Sequence, residues 1–161
     1  MPLDKEGNPF ELRSFGPEDF SALSDMYDFF KPKAGFQGMP PRDRTVADRW
    51  IRSLIQSGEN FLALRGKKVI GHVVILPDFE REDAEFLIFV NQLNRGKGIG
   101  KELTRKALQR ARDLGVKIVW LTVDAYNFRA IKLYRRFGFK FCEDYGSASE
   151  RMMSLSLGEA Q

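Results

Sequence analysis

Residues 84–90 (AEFLIFV) form the most strongly apolar run in the chain, and shortly after it Arg95-Gly96-Lys97-Gly98-Ile99-Gly100 opens a segment with helical spacing. A buried strand, a glycine-rich turn and an amphipathic helix in that order restrict the chain to folds in which a strand feeds directly into a helix start. The run predicts a strand lying centrally in its sheet. From residue 98 to 114, Ile99, Leu103, Ala107, Ala111 and Leu114 share one helical face, and Gly115 closes the helix. A helix start carries unpaired N–H groups and the positive end of the peptide dipole, and glycine lets a pyrophosphate approach the backbone where a Cβ would block it. Arg95, Lys97, Lys101, Arg105, Lys106, Arg110 and Arg112 stand over this loop and helix against only Glu102 and Asp113. The segment predicts a site for a ligand bearing several phosphates.

Spacing separates the known phosphate motifs. A P-loop needs glycine where Arg95 stands and a hydroxyl where Glu102 stands. A dinucleotide fingerprint begun at Gly96 would need glycine in place of Lys101, although Asp124, after the next strand, imitates the ribose-binding acid and keeps that reading open. A glycine-rich turn with no ligand is the plain alternative.

The remaining elements follow from periodicity. Residues 10–15 (FELRSF) alternate as a half-buried strand, and Gly16-Pro17-Glu18-Asp19 has helix-start chemistry before Phe20, Leu23, Tyr27 and Phe30, giving a helix that ends near Lys31. Residues 31–41 contain too many prolines and glycines for a regular element and are expected to be a loop. A second helix is predicted over 43–57, and strands over 61–64 and 69–76 joined by a tight turn at Gly66. An acidic connection, 78–83, leads to the central strand. Beyond the long helix come a strand at 118–123, a short helix at 127–137, a strand at 139–142, a closing strand at 152–157 paired with its neighbour, and a tail at 158–161.

Composition narrows the function. At 161 residues and 43% hydrophobic, one domain spanning 1–161 is expected. No run approaches the roughly 20 apolar residues of a membrane span, and Met1 to Asn8 is polar, which gives a cytoplasmic reading with no membrane partner. A lone cysteine, Cys142, excludes an internal disulfide and a cysteine metal cluster, and a lone histidine, His72, removes most zinc-enzyme and Ser-His-Asp schemes. No metal is expected. His72, Cys142, Trp50 and Trp120 are read as structural, the tryptophans as core. The net charge of +4 suits an anionic ligand without implying nucleic acid.

Arg95 to Gly100 resembles the cofactor motif of the GNAT N-acetyltransferase superfamily: Gln or Arg, two residues, Gly, one residue, then Gly or Ala. Asn127-Phe128-Arg129-Ala130, then Leu133-Tyr134 and the closing Gly138-Phe139, resembles that family's second motif. The likeness covers about 10–157 and is dense from 84 to 139. It implies an α/β (α+β) fold with a central mixed, mostly antiparallel sheet of about seven strands flanked by about four helices. It implies acetyl-CoA as co-substrate, its pyrophosphate held by the backbone of Arg95, Gly96, Lys97, Gly98, Ile99 and Gly100. A distortion of the fourth strand would free an N–H at about Phe89, beside Val90, for the thioester carbonyl, and Asn127 would bond near the pantetheine or an ordered water. Tyr134 corresponds to the tyrosine that protonates the leaving thiolate, and Glu85 to the glutamate that takes the amine's proton. Two departures stand out: Gln92 replaces a common proline and Asn94 a common aromatic.

Physical chemistry allows each role and also a plain one. A phenol suits a thiolate partner, though Tyr134 also fits a core aromatic. Desolvation in an apolar strand raises a carboxylic acid's pKa, which suits a base, though Glu85 also fits a strand-end glutamate facing solvent. Asn127 fits a helix cap equally well. The expected acceptor is a small-molecule amine, a protein lysine or an N-terminal amine, attacking directly in a ternary complex. Asp78, Glu80, Glu82 and Asp83 would attract a cationic amine or merely solvate a turn, and Phe36, Gln37 and Met39 would wall the acceptor pocket or merely link two helices. A non-catalytic acyl-CoA sensor is the rival function. A basic nucleic-acid binder is disfavoured by the intact glycine pattern, and a homodimer is left open.

Overall fold

The structure is a computed structural model and describes residues 1–31, 40–147 and 149–158. The expected loop at 31–41, with Phe36, Gln37 and Met39, falls mostly outside the described residues, as does the end of the tail. Among the described residues the chain runs β1 (Glu11–Ser14), a 3-10 turn (Pro17–Asp19), α1 (Phe20–Phe29), α2 (Arg44–Ser57), β2 (Glu59–Arg65), β3 (Lys68–Asp78) and β4 (Asp83–Val90). It continues through α3 (Ile99–Asp113), β5 (Ile118–Asp124), α4 (Phe128–Arg136), β6 (Lys140–Gly146) and β7 (Glu150–Ser156).

The seven strands form one sheet in the order β1-β2-β3-β4-β5-β7-β6, so the apolar run 84–90 is the middle strand. Every neighbouring pair is antiparallel except β4 and β5, which are parallel and joined through α3. The fold class is the one the sequence implies. As expected, β7 pairs with its neighbour β6; it also inserts beside β5, separating β5 from β6.

Two apolar layers cover the sheet. On one face Phe86, Ile99, Leu103, Ala107, Leu121, Phe139 and Met153 pack under α3 and α4. On the other, Leu23, Tyr27, Ile51, Leu62 and Phe89 pack under α1 and α2. α2 starts where Asp43 accepts the Val46 N–H at 3.1 Å, an ordinary side-chain cap. α3 lies close on β3 because residue 71 is glycine: a Cβ there would meet Leu103 Cδ1 at 2.7 Å. Leu103 is fully buried, a burial worth roughly 1.5–3 kcal/mol. That contact holds the start of α3 over the ends of the central strands.

Candidate active site

The parallel pair does not stay paired. β4 and β5 share a ladder only at Asp83↔Ile118, Ala84↔Val119 and Glu85↔Trp120, whereas β4 stays paired with β3 to Val90 and β5 with β7 to Asp124. Beyond Glu85 and Trp120 the two strands part into a V that opens toward their C-terminal ends. At that mouth lie the glycine loop after β4 and Asn127 after β5, the place where α/β sheets receive ligands.

The backbone facing the V follows from hydrogen bonding. Asn91 N–H donates to Ile70 O at 3.0 Å, and alternation along an antiparallel pair then points odd-numbered β4 amides at β3 and even-numbered ones at β5. Val90 and Ile88 therefore present N–H groups to the V, while the Phe89 N–H faces β3. The β3–β4 register runs unbroken from Asp78↔Asp83 to Gly71↔Val90, so the free amide comes from strand separation, not from a distortion of β4. Of the two residues expected near the carbonyl, Val90 turns its N–H toward the V and Phe89 toward β3, and the Phe89 side chain joins Tyr27, Phe30 and Trp50 in an aromatic cluster.

Gly96 and Gly98 have φ of +75° and +89°, the left-handed region that favours glycine. Gly98 is the N-cap of α3 and offers no capping side chain, so the first N–H groups of the helix are available to an anion. Gly100 is the packing glycine: a Cβ on it would lie 3.4 Å from Leu133 Cδ2 of α4. The Lys97, Ile99 and Gly100 backbones thus belong to one uncapped, anion-ready turn. The Arg95 side chain does other work. Its Nε donates to Val90 O at 2.9 Å, an Nη donates to Lys31 O, and the guanidinium stands over the Phe30 ring. Gln92 grips the same end of α1, accepting the Lys31 N–H at 2.9 Å and donating to Phe29 O at 2.8 Å. Gln92, where the resemblance expects a proline, therefore ties the approach to the glycine loop to the end of α1.

Arg129 is a residue that sequence reasoning passed over. Its Nη1 lies 3.8 Å from where a Gly96 Cβ would be, and its charge, after desolvation, helps lower the Arg95 pKa. Its place two residues after the Asn127 cap was the available signal, because that spacing puts it on the first turn of α4.

Tyr134 and Glu85 lie on opposite faces of β4 near the apex of the V. Tyr134 packs edge-on to Phe86 at 5.9 Å and tilted to Phe139 at 5.8 Å. Its side chain is 7% exposed, burial pushes the phenol above its ordinary pKa, and its hydroxyl has no hydrogen-bond partner among the described residues. Glu85, with Leu87 and Phe89, projects from the α1/α2 face, is half-buried, and has its pKa raised by desolvation. Asn127 caps α4 by accepting the Ala130 N–H at 3.2 Å, one of its two expected roles.

Trp120 corrects a sequence expectation. It joins neither apolar cluster and stands half-buried beside Glu85 in register. The apolar run Ile118 to Leu121 reads as a strand covered on both faces and gave no sign that one of them lies uncovered by helices. Trp50, by contrast, packs on Tyr27 and Phe89.

His72 is fully buried and fully bonded. Asn60 donates its amide to Leu54 O and Gly58 O, so its Oδ1 must accept from His72 Nε2 at 2.7 Å, leaving Nδ1 to accept from the Tyr27 hydroxyl at 2.6 Å. Burial lowers the His72 pKa to about 3, so the ring is a neutral strut. Cys142 Sγ contacts Ser154 Oγ at 3.4 Å.

Comparisons with known proteins agree with this fold. The model of the Acetyltransferase (GNAT) family matches residues 23–139. The chain is 35% identical over 118 residues to N-acetyltransferase family 8 member 2 of Rattus norvegicus, covering 70% of this chain and 52% of that protein. The chain thus spans about half the length of that curated relative. The GNAT domain of S. lividans PAT superposes with a TM-score of 0.83 at 14% identity, covering 97% of this chain and 95% of that one. A Salmonella typhimurium structure solved with its cofactor acetyl-CoA superposes at 0.74 with 18% identity, covering 95% and 97%.

Proposed function

Because this chain belongs to the acetyltransferase (GNAT) family, we propose that it moves an acetyl group from acetyl-CoA to a primary amine by direct attack in a ternary complex. The observation that carries the reading is the parting of β4 and β5 after Glu85↔Trp120, with the uncapped glycine loop at the open end. A pantetheine arm needs a slot with free backbone groups on its walls, and a pyrophosphate needs unpaired N–H groups at the mouth; both are supplied here. Gly96, Gly98 and the first turn of α3 fit the pyrophosphate by their positive φ and missing cap, with Arg129 beside them.

Acetyl-CoA supplies a thioester, whose carbonyl carbon is open to attack by a neutral amine. The Val90 N–H donates to the carbonyl oxygen as negative charge grows on it. Glu85 accepts the proton that an arriving ammonium must lose; desolvation raises its pKa, which makes it a stronger base than a free carboxylate. As the new C–N bond forms and the C–S bond breaks, Tyr134 donates its O–H proton to the departing sulfur from the other side of β4, and the second proton that the acetylated nitrogen sheds restores the phenol. Because Tyr134 and Glu85 lie on opposite faces, the amine enters from the α1/α2 side and the thiol leaves along the V. A small-molecule amine, a protein lysine and an N-terminal amine are the acceptor classes. Trp120 walls that approach.

Direct attack is tested by initial rates with both substrates varied and by mass spectrometry of the protein incubated with acetyl-CoA alone. Intersecting rate lines and an unmodified protein support the reading. Parallel lines with an acetylated protein contradict it.

A further inference from the structure

The sequence presents Met1 to Asn8 only as a polar lead, yet the structure lays this segment against the glycine loop. Asp4 and Gly7 close a β-turn through the Gly7 N–H to Asp4 O bond of 3.0 Å, with Lys5 in its second position and Gly7 at φ +84°. The Asp4 carboxylate is the anchor. Its side chain is fully buried and accepts the N–H groups of Glu6 and Asn8, each at 2.9 Å, together with Arg65 Nη2 at 2.9 Å. Arg65 also donates to Asn94 Oδ1 at 3.2 Å, and Asn94 donates to Asn91 Oδ1 at 2.7 Å. One guanidinium therefore joins the N-terminal turn to the approach of the glycine loop.

Two further contacts reach the loop itself. Lys5 N–H donates to Lys97 O at 2.8 Å. In a trans peptide the C=O and the following N–H point in opposite directions, so this bond turns the Gly98 N–H away from the strap. The Glu6 carboxylate also lies 3.5 Å from the Lys97 ammonium.

We propose that residues 1–9 form a strap that is a working part of the acetyl-CoA site. The Lys5 N–H fixes the Lys97–Gly98 peptide so that the Gly98 amide faces the pyrophosphate, and Glu6 holds the Lys97 ammonium until the pyrophosphate displaces it. The proposal rests on the acetyl-CoA reading above. Lys5 and Glu6 are positioning residues with opposite signs: the first preorganises the cradle, the second competes with the ligand for a cation.

The test is calorimetric titration of acetyl-CoA into the wild-type chain and into Lys5→Pro, Lys5→Ala and Glu6→Gln, with a thermal melt of each. Proline suits the second position of the turn and removes the N–H together with the lysine side chain, whereas alanine removes the side chain and keeps the N–H. Lys5→Pro is expected to bind acetyl-CoA about 10-fold more weakly than Lys5→Ala, the effect of one lost preorganised hydrogen bond. Glu6→Gln is expected to tighten binding about 3-fold, in line with an exposed ion pair. Lys5→Pro binding as tightly as Lys5→Ala, or Glu6→Gln failing to tighten, would each overturn the strap. A wild-type chain that binds no acetyl-CoA would instead overturn the reading beneath it.

Discussion

Glu85 and Trp120 are register partners at the last step of the β4–β5 ladder, and beyond them the two strands separate. An ionisable group and a large indole thus sit at the apex of the V, on the side approached past α1 and α2. Their position explains why a carboxylate is kept half-buried in the most apolar strand of the chain.

Glu85 carries a stability cost that its role would justify. Its folded pKa is raised by burial, so relative stability is present below its unfolded pKa, near 4.5, and is lost as pH rises through the higher folded value. Glu85→Gln is expected to unfold at higher urea than wild type at pH 7, to match it near pH 4, and to lower kcat by about 10²-fold or more. Urea titrations at the two pH values and steady-state rates check both halves.

Tyr134→Phe removes one oxygen that has no partner among the described residues and leaves the ring packed on Phe86 and Phe139. Stability and acetyl-CoA affinity are expected to stay near wild type while kcat falls about 10²-fold. Unchanged kcat would remove Tyr134 as the acid.

Gly98 and Gly115 form a matched pair, with φ of +89° and +79° at the two ends of α3. Glutamate at either position incurs a comparable backbone strain of about 1–3 kcal/mol. Only Gly98→Glu also places a carboxylate in the cradle, so it is expected to abolish acetyl-CoA binding while Gly115→Glu retains it, as read by titration calorimetry.

His72 links stability to acid. Its folded pKa of about 3 lies below the unfolded 6.5, so its contribution is complete above pH 6.5 and is lost as pH falls toward 3, with a slope of up to about 1.4 kcal/mol per pH unit. His72→Gln is expected to be about 1–3 kcal/mol less stable at pH 7, because Tyr27 or Asn60 loses its partner, and to show a shallower slope between pH 6 and 4. Denaturant midpoints across that range decide it.

How far the sequence reveals this arrangement depends on what carries periodicity. The apolar run 84–90 and the glycines before α3 announce the central strand and the uncapped helix, because each depends on local residue type. The insertion of β7 beside β5 is invisible locally, since pairing between distant strands leaves no mark in either segment alone. Trp120 looks like core because the unbroken apolar run Ile118 to Leu121 does not say which face lacks a helix. The direction of the Val90 amide depends on β3 pairing, which no spacing within β4 records. The strap at residues 1–9 is held by local carboxylate-to-amide bonds and by Arg65, 61 residues beyond its partner Asp4, so its polar residues read as a plain lead.

The most direct measurement is release of free CoA thiol from acetyl-CoA across a panel of lysine peptides, peptides with free N-termini, polyamines, amino acids, aminoglycosides and arylamines. The account predicts release that depends on one class of amine, that falls in Glu85→Gln and Tyr134→Phe, and that disappears in Gly98→Glu. Saturable acetyl-CoA binding with no thiol release for any amine would contradict it and leave a chain that binds the acyl donor without transferring its acetyl group.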